Sequence, residues 1–92
     1  MTFTVRWPDG TQHRCYSPSL VVREHLEVGT SYAVADFQDR SRTALTIASE
    51  RVRDKFGFHC TASAAQLAEI EEVAGRHDPA GLVTVERFNL GG

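Results

Sequence analysis

The sequence predicts an α+β fold: a three-stranded antiparallel sheet, built from an N-terminal hairpin and a C-terminal strand, with three helices inserted in the order β-β-α-α-α-β. Three observations lead there. Apolar residues alternate along the N-terminal segment up to a Pro-Asp-Gly turn, they recur every three or four positions between residues 36 and 56, and residues 82–88 are rich in β-branched side chains. The 92 residues fit one domain spanning 1–92 with one core. A domain this small has little stability to spare, so a homodimer is a natural supplement.

Phe3, Val5 and Trp7 point one way and Thr2, Thr4 and Arg6 the other, which is the period of a half-buried strand. Pro8-Asp9-Gly10 then turns the chain, with proline fixing φ and glycine accepting the left-handed position. A second strand, Thr11 to Tyr16, folds back. With Trp7 opposite Thr11, Val5 faces His13 and Phe3 faces Cys15, so His13 and Cys15 share the buried face.

Ser17-Pro18 reads as the start of a short helix to Glu27, ended by Val28-Gly29, and Tyr32-Ala33-Val34 as an extended connector. The central helix, Asp36 to Phe56, repeats Phe37, Ser41, Ala44, Leu45, Ala48, Val52 and Phe56 at helical spacing. Asp36 is its expected N-cap, Arg51, Arg53 and Lys55 gather at its C-terminal end, and Gly57 stops it. A third helix, Ala64 to Arg76, opens with Ser63 and Gln66 at capping-box spacing and stops at Asp78-Pro79-Ala80-Gly81. Leu82 to Phe88 forms the last strand, beside strand one.

Composition narrows the function classes. Ten Lys and Arg against twelve Asp and Glu leave a net charge of −2, so the positive field that drives non-specific nucleic-acid binding is missing. No window approaches a membrane span and no secretory leader opens the chain, which predicts a cytoplasmic protein with neither a membrane nor a nucleic acid as partner. In that compartment the two cysteines are expected as thiols.

Four arginines stand on the central helix. Arg40 and Arg51, like Arg42 and Arg53, are eleven residues apart, so each pair lines one side of the helix at roughly 16 Å. That is too far to clamp one phosphate but suits a surface meeting an acidic partner. The competing reading is a solvated face neutralised by Asp39, Glu50 and Asp54. Against it, Ser41, Thr43, Thr46 and Ser49 stand where better helix formers would be expected, which points to close helix packing or polar recognition. The partner-binding candidates are Arg40, Arg42, Thr43, Thr46, Ser49, Arg51 and Arg53.

Two His/Cys pairs, His13 with Cys15 and His59 with Cys60, supply zinc-type ligands, but at a spacing that matches no standard zinc pattern, and a buried cysteine is more often a small core hydrophobe. Cys60, placed before the third helix, is a candidate reactive thiol. Gly91-Gly92 resembles the tail of ubiquitin-like sulfur carriers, although three helices between the strands differ from their β-grasp plan. No nucleophile elbow, phosphate loop or paired-carboxylate pattern occurs, and no cofactor is implied.

The runs Arg6-Trp7-Pro8-Asp9-Gly10 and Cys15-Tyr16-Ser17-Pro18-Ser19, with Arg40 through Arg53 and Lys55-Phe56-Gly57-Phe58, resemble a family of small bacterial nitrogen starvation response proteins of about this length. The resemblance implies genes beside those of a nitrilase and a radical SAM protein, and a role in scavenging nitrogen from nitriles or cyanide. It brings no catalytic or binding residues with it. The expectation is a non-catalytic accessory protein that binds a protein, an enzyme of the same cluster or itself, through the central helix. The alternative is a small cysteine-dependent enzyme or a C-terminal di-glycine carrier.

Overall fold

A computed structural model describes residues 1–57 and 61–90. Strands β1 (Thr2–Arg6) and β2 (Gln12–Tyr16) form the N-terminal hairpin. The expected register holds, with Phe3 opposite Cys15 and Val5 opposite His13. The Trp7 amide donates to the Thr11 carbonyl at 2.9 Å, and Gly10 adopts φ +88°. In the turn the Thr11 amide donates to Asp9 Oδ1 at 2.9 Å, which holds the Asp9 carboxyl below the usual carboxylate range.

The sheet has four strands rather than three. Ser31–Ala33, expected as a connector, is strand β3, and it pairs antiparallel with β4 (Leu82–Asn89), giving the order β2-β1-β4-β3. The amide of Gly29 and the carbonyl of Thr30 continue this ladder to the carbonyl and amide of Val85. β4 also pairs with β1, with a bulge where Thr4 and Val5 face Arg87 and Val85.

Among the described residues there are two α-helices rather than three. The segment expected as the first helix is a single 3₁₀ turn, Leu20–Glu24, capped by Ser19, whose Oγ accepts the Val21 amide. Ser17 does not cap it, because its hydroxyl donates to the Ser19 carbonyl at 2.7 Å. Val21 and Val22 bury adjacent side chains, which one tight turn suffices to do.

Helix α1 (Val34–Phe56) starts two residues before Asp36, with Ala33 as a cap lacking any side-chain bond. Its first amides are satisfied from across the chain: Val34 donates to the Gly81 carbonyl at 2.8 Å and Ala35 to the Pro79 carbonyl at 3.2 Å. Asp36 lies in the first turn, where its charge complements the helix dipole. Helix α2 (Thr61–Ala74) does not use the expected capping box. Ser63 Oγ donates to the Leu45 carbonyl at 3.0 Å, and Gln66 Oε1 accepts the Tyr16 amide at 2.9 Å, tying α2 to α1 and to the edge of β2.

Both helices and the 3₁₀ turn cover one face of the sheet. The core there joins Phe3, Val5, Val83 and Val85 from the strands and Trp7 from just after β1 to Phe37, Leu45 and Ile70 from the helices, Val22 from the 3₁₀ turn and Leu26 from just after it. Each such fully buried side chain contributes roughly 1.5–3 kcal/mol. Among the described residues no helix is long and apolar enough to cross a membrane.

Candidate functional site

The eleven-residue spacing resolves into two flanks of α1. On the flank toward the 3₁₀ turn, Arg40 Nε pairs with Asp36 at 3.0 Å, its Nη1 donates to the His25 carbonyl at 3.0 Å, and its guanidinium lies 4.8 Å from the centre of the Tyr32 ring. Arg51 Nη1 donates to Ser19 Oγ at 3.3 Å. On the flank toward α2, Arg42 Nε pairs with Glu71 at 3.0 Å and its Nη1 with Asp39 at 3.3 Å. Arg53 lies 3.8 Å from Asp54. Arg40, Arg42 and Arg51 therefore fasten α1 to its neighbours, while Arg53, among the described residues, reaches the adjacent Asp54.

The hydroxyl residues divide in the same way. Ser41 is buried and its Oγ has no hydrogen-bond partner among the described residues, a cost accepted where a small side chain is needed against the core. Thr43 is exposed on the surface. Thr46 and Ser49, with Arg53, line a groove of about 210 Å³ between α1 and α2 whose floor is Leu45, Ala64 and Leu67. Three of the seven candidate partner-binding residues thus meet at one concavity.

A second cleft, about 400 Å³, opens beside the hairpin. At its base Trp7 is buried, stacked on His77 at 5.5 Å with 8° between the ring planes and edge-on to Phe37 at 5.4 Å. The indole N–H donates to His13 Nδ1 at 3.2 Å, and His13 Nε2 lies 2.5 Å from Glu69 Oε1. With Nδ1 accepting, the neutral ring carries its proton on Nε2 and donates it to the carboxylate, so both nitrogens are committed. Glu69 and His77 are absent from the sequence-derived candidates. Glu69 does lie three residues after Gln66 on the face of α2 that meets β2, but no local pattern announces its partner.

Cys15 is fully buried in the core as a free thiol, and burial, helped by the nearby Glu69 carboxylate, pushes it up to about 12. Such a thiol is a poor nucleophile at neutral pH. Among the described residues no cluster of three His, Cys, Asp or Glu side chains is placed to hold a metal ion. His59, Cys60, Gly91 and Gly92 lie outside the described residues.

The model of the nitrogen starvation-induced protein NitG family matches residues 2–88. The chain belongs to that family. The match takes in both strands of the hairpin, all of α1 and α2, and β4 to its penultimate residue. No curated protein and no solved structure matches the chain. Membership in the NitG family places the chain in the response to nitrogen starvation.

Proposed function

We propose that this NitG-family chain is a non-catalytic accessory protein that docks an amphipathic segment of a partner protein made in the same response. The segment would lie along the C-terminal turns of α1 and the groove beside them. One observation carries the reading: α1 outruns the core it covers. At 23 residues the helix is about 35 Å long, close to the 38 Å greatest extent of the molecule. Its last fully buried residue is Ala48, and roughly two further turns follow. Helical turns draw most of their stability from packing an apolar face, so turns left beside an open groove are suited to a partner's side chains.

The chemistry of the surface agrees. Leu45, Ala64 and Leu67 offer an apolar floor, Thr46 and Ser49 offer hydroxyls, and Phe56, 59% exposed, stands at the end of the helix. Arg53 and Glu50 both line the groove, which favours a partner segment that carries both signs, a carboxylate to meet Arg53 and a cation to meet Glu50. Enzymes of nitrogen scavenging are the first partners to test.

The experiment takes a protein that co-purifies stoichiometrically from nitrogen-starved cells, expresses it alone and mixes it with the purified chain. A one-to-one complex is expected, weakened about tenfold or more by Thr46→Arg, which fills the groove, and by Phe56→Ser. Arg14→Gln, on the opposite face, should leave it intact. A complex indifferent to both groove variants, or a bait carrying a covalent adduct and no partner, would overturn the reading.

A further inference from the structure

The sheet face turned away from the helices is open and differs in charge from the rest of the molecule. Arg6, Arg14 and Arg87 stand on it with Glu86 as the one acidic side chain, whereas the whole chain carries ten basic and twelve acidic residues. Glu86 is already committed. Its Oε2 accepts from Arg6 Nε at 3.1 Å and its Oε1 from Gln12 Nε2 at 2.7 Å, and these bonds, the Gln12 one foremost, together with the charges of Arg6 and of neighbouring Arg87, hold its carboxyl below the usual range. Arg14 and Arg87 have no ion-pair or hydrogen-bond partner among the described residues, unlike the arginines that fasten α1.

The register brings these two together. Thr4, on the inner strand β1, faces Arg14 on one side and Arg87 on the other. The two arginines sit one strand either side of Thr4, so their Cα atoms are about 10 Å apart, close enough for both guanidinium groups to reach one point above it. Thr4 and Arg14 form a non-hydrogen-bonded pair, the kind in which side chains approach most closely, because the ladder bonds of the hairpin fall on the odd-numbered residues of β1. Although it faces outward, Thr4 is only 7% exposed. Two guanidinium groups with no ion-pair or hydrogen-bond partner among the described residues thus belong to the cross-strand neighbours of a largely covered threonine.

We infer that the Arg14–Thr4–Arg87 row is a binding site for a phosphate-type oxyanion, supplied either as free phosphate or as the phosphate group of a small phosphomonoester. Guanidinium forks suit the paired oxygens of such an anion, and the threonine hydroxyl supplies a donor between them. Binding neutralises two like charges that the fold otherwise leaves facing each other. The site is on the opposite side of the sheet from the groove and does not depend on it.

The test is a backbone amide NMR titration with inorganic phosphate and, separately, phenyl phosphate, each against chloride at matched ionic strength. Saturable shifts centred on Thr4, Arg14 and Arg87 are expected, with affinity reduced about tenfold by Arg14→Gln and by Arg87→Gln and less by Thr4→Val. Equal affinities would identify free phosphate as sufficient, and a tighter ester would identify a phosphomonoester; both support the site. Arg6→Gln is the control, since Arg6 is already paired. Shifts no larger than those in chloride, shifts that survive both arginine variants, or an equal loss in Arg6→Gln, the signature of a diffuse field, would each overturn the assignment.

Discussion

Replacing Trp7 by Phe tests the cluster that ties the hairpin to α2 and to the 77–81 turn. The side chain is 2% exposed, and it is the only tryptophan in the chain. Phenylalanine keeps an aromatic ring against Phe37 and His77 but is smaller and has no N–H. A residual cavity on the order of 40 Å³, at about 24 cal/mol per Å³, costs about 1 kcal/mol. His13, whose side chain is 13% exposed, loses the donor to its Nδ1, and an acceptor left largely buried and unpaired costs about 1–3 kcal/mol. The expected loss is therefore about 2–4 kcal/mol, a large share of the stability of so small a domain. Urea unfolding followed by far-UV circular dichroism measures it without relying on the deleted fluorophore. A double-mutant cycle with His13→Ala isolates the bond and should give a coupling of at least about 0.5 kcal/mol. A loss under about 1 kcal/mol together with zero coupling would refute the reasoning, because the indole N–H would then contribute nothing net.

Three further outcomes follow from single contacts. The Cys15 thiol, raised from 9.0 to about 12, is neutral in the folded chain at pH values where the unfolded chain ionises it, so its contribution is complete below pH 9 and declines as pH rises toward 12. Urea midpoints measured across that range should fall less steeply in Cys15→Ala than in the parent, by a slope difference of up to about 1.4 kcal/mol per pH unit. Gly81→Ala places a Cβ 2.9 Å from Pro8 Cγ and 3.1 Å from the Asp78 carbonyl oxygen, a clash expected to cost about 1–3 kcal/mol in thermal or urea unfolding. Pro8→Ala, which removes the nearest atom, should restore part of that loss, and no recovery would shift the cause to the backbone. Glu86, with its carboxyl lowered by Gln12 and Arg6, contributes stability that is present above the ordinary carboxylate range and lost as pH falls through the lowered value. Glu86→Gln should remove that component of the acid transition and its salt dependence, as a comparison of acid unfolding curves at low and high salt will show.

The parts of the fold legible in the sequence are those whose causes are local. The turn at Pro8-Asp9-Gly10 fixed the hairpin register, and with it the shared face of His13 and Cys15, since a slip of one residue exchanges the two faces. The helical repeat of Phe37, Ser41, Ala44, Leu45 and Ala48 marked the buried face of α1 without help from elsewhere. What escaped was set by distant partners. β3 is only three residues long with no clear alternation, and it is a strand because Val83 and Thr84 lie beside it. α1 begins before the well-placed Asp36 because the carbonyls of Pro79 and Gly81, far along the chain, satisfy its first amides. Ser63 and Gln66 have capping-box spacing yet serve Leu45 and Tyr16.

The candidate sites divide along the same line. Helical geometry alone put Arg42 and Arg53 on one flank, but whether each is a structural tie or a free contact depends on what α2 presents opposite it: Glu71 opposite Arg42, and an open groove beside Arg53. The outward alternation of Thr4 and Arg14 was implicit in the hairpin. Arg87 joins them only through the register of β4, and through a bulge that brings Arg87, rather than Glu86, opposite Thr4.

That bulge also separates the charges on the sheet. A regular ladder continued from the Val5–Val85 pair would set Glu86 opposite Thr4, across β1 from Arg14, where it could neutralise the row. With the extra residue, Glu86 turns instead to Arg6 and Gln12. One backbone irregularity thus leaves Arg14 and Arg87 without a hydrogen-bond or ion-pair partner among the described residues on one face, while the ties of Arg40, Arg42 and Arg51 hold α1 in place on the other. The sheet lies between the open row and the α1–α2 groove, and β1, the inner strand carrying Thr4, turns Phe3 and Val5 into the core that supports α1. The proposed anion row and the proposed protein groove therefore use different side chains on opposite faces, so the two proposals stand or fall separately.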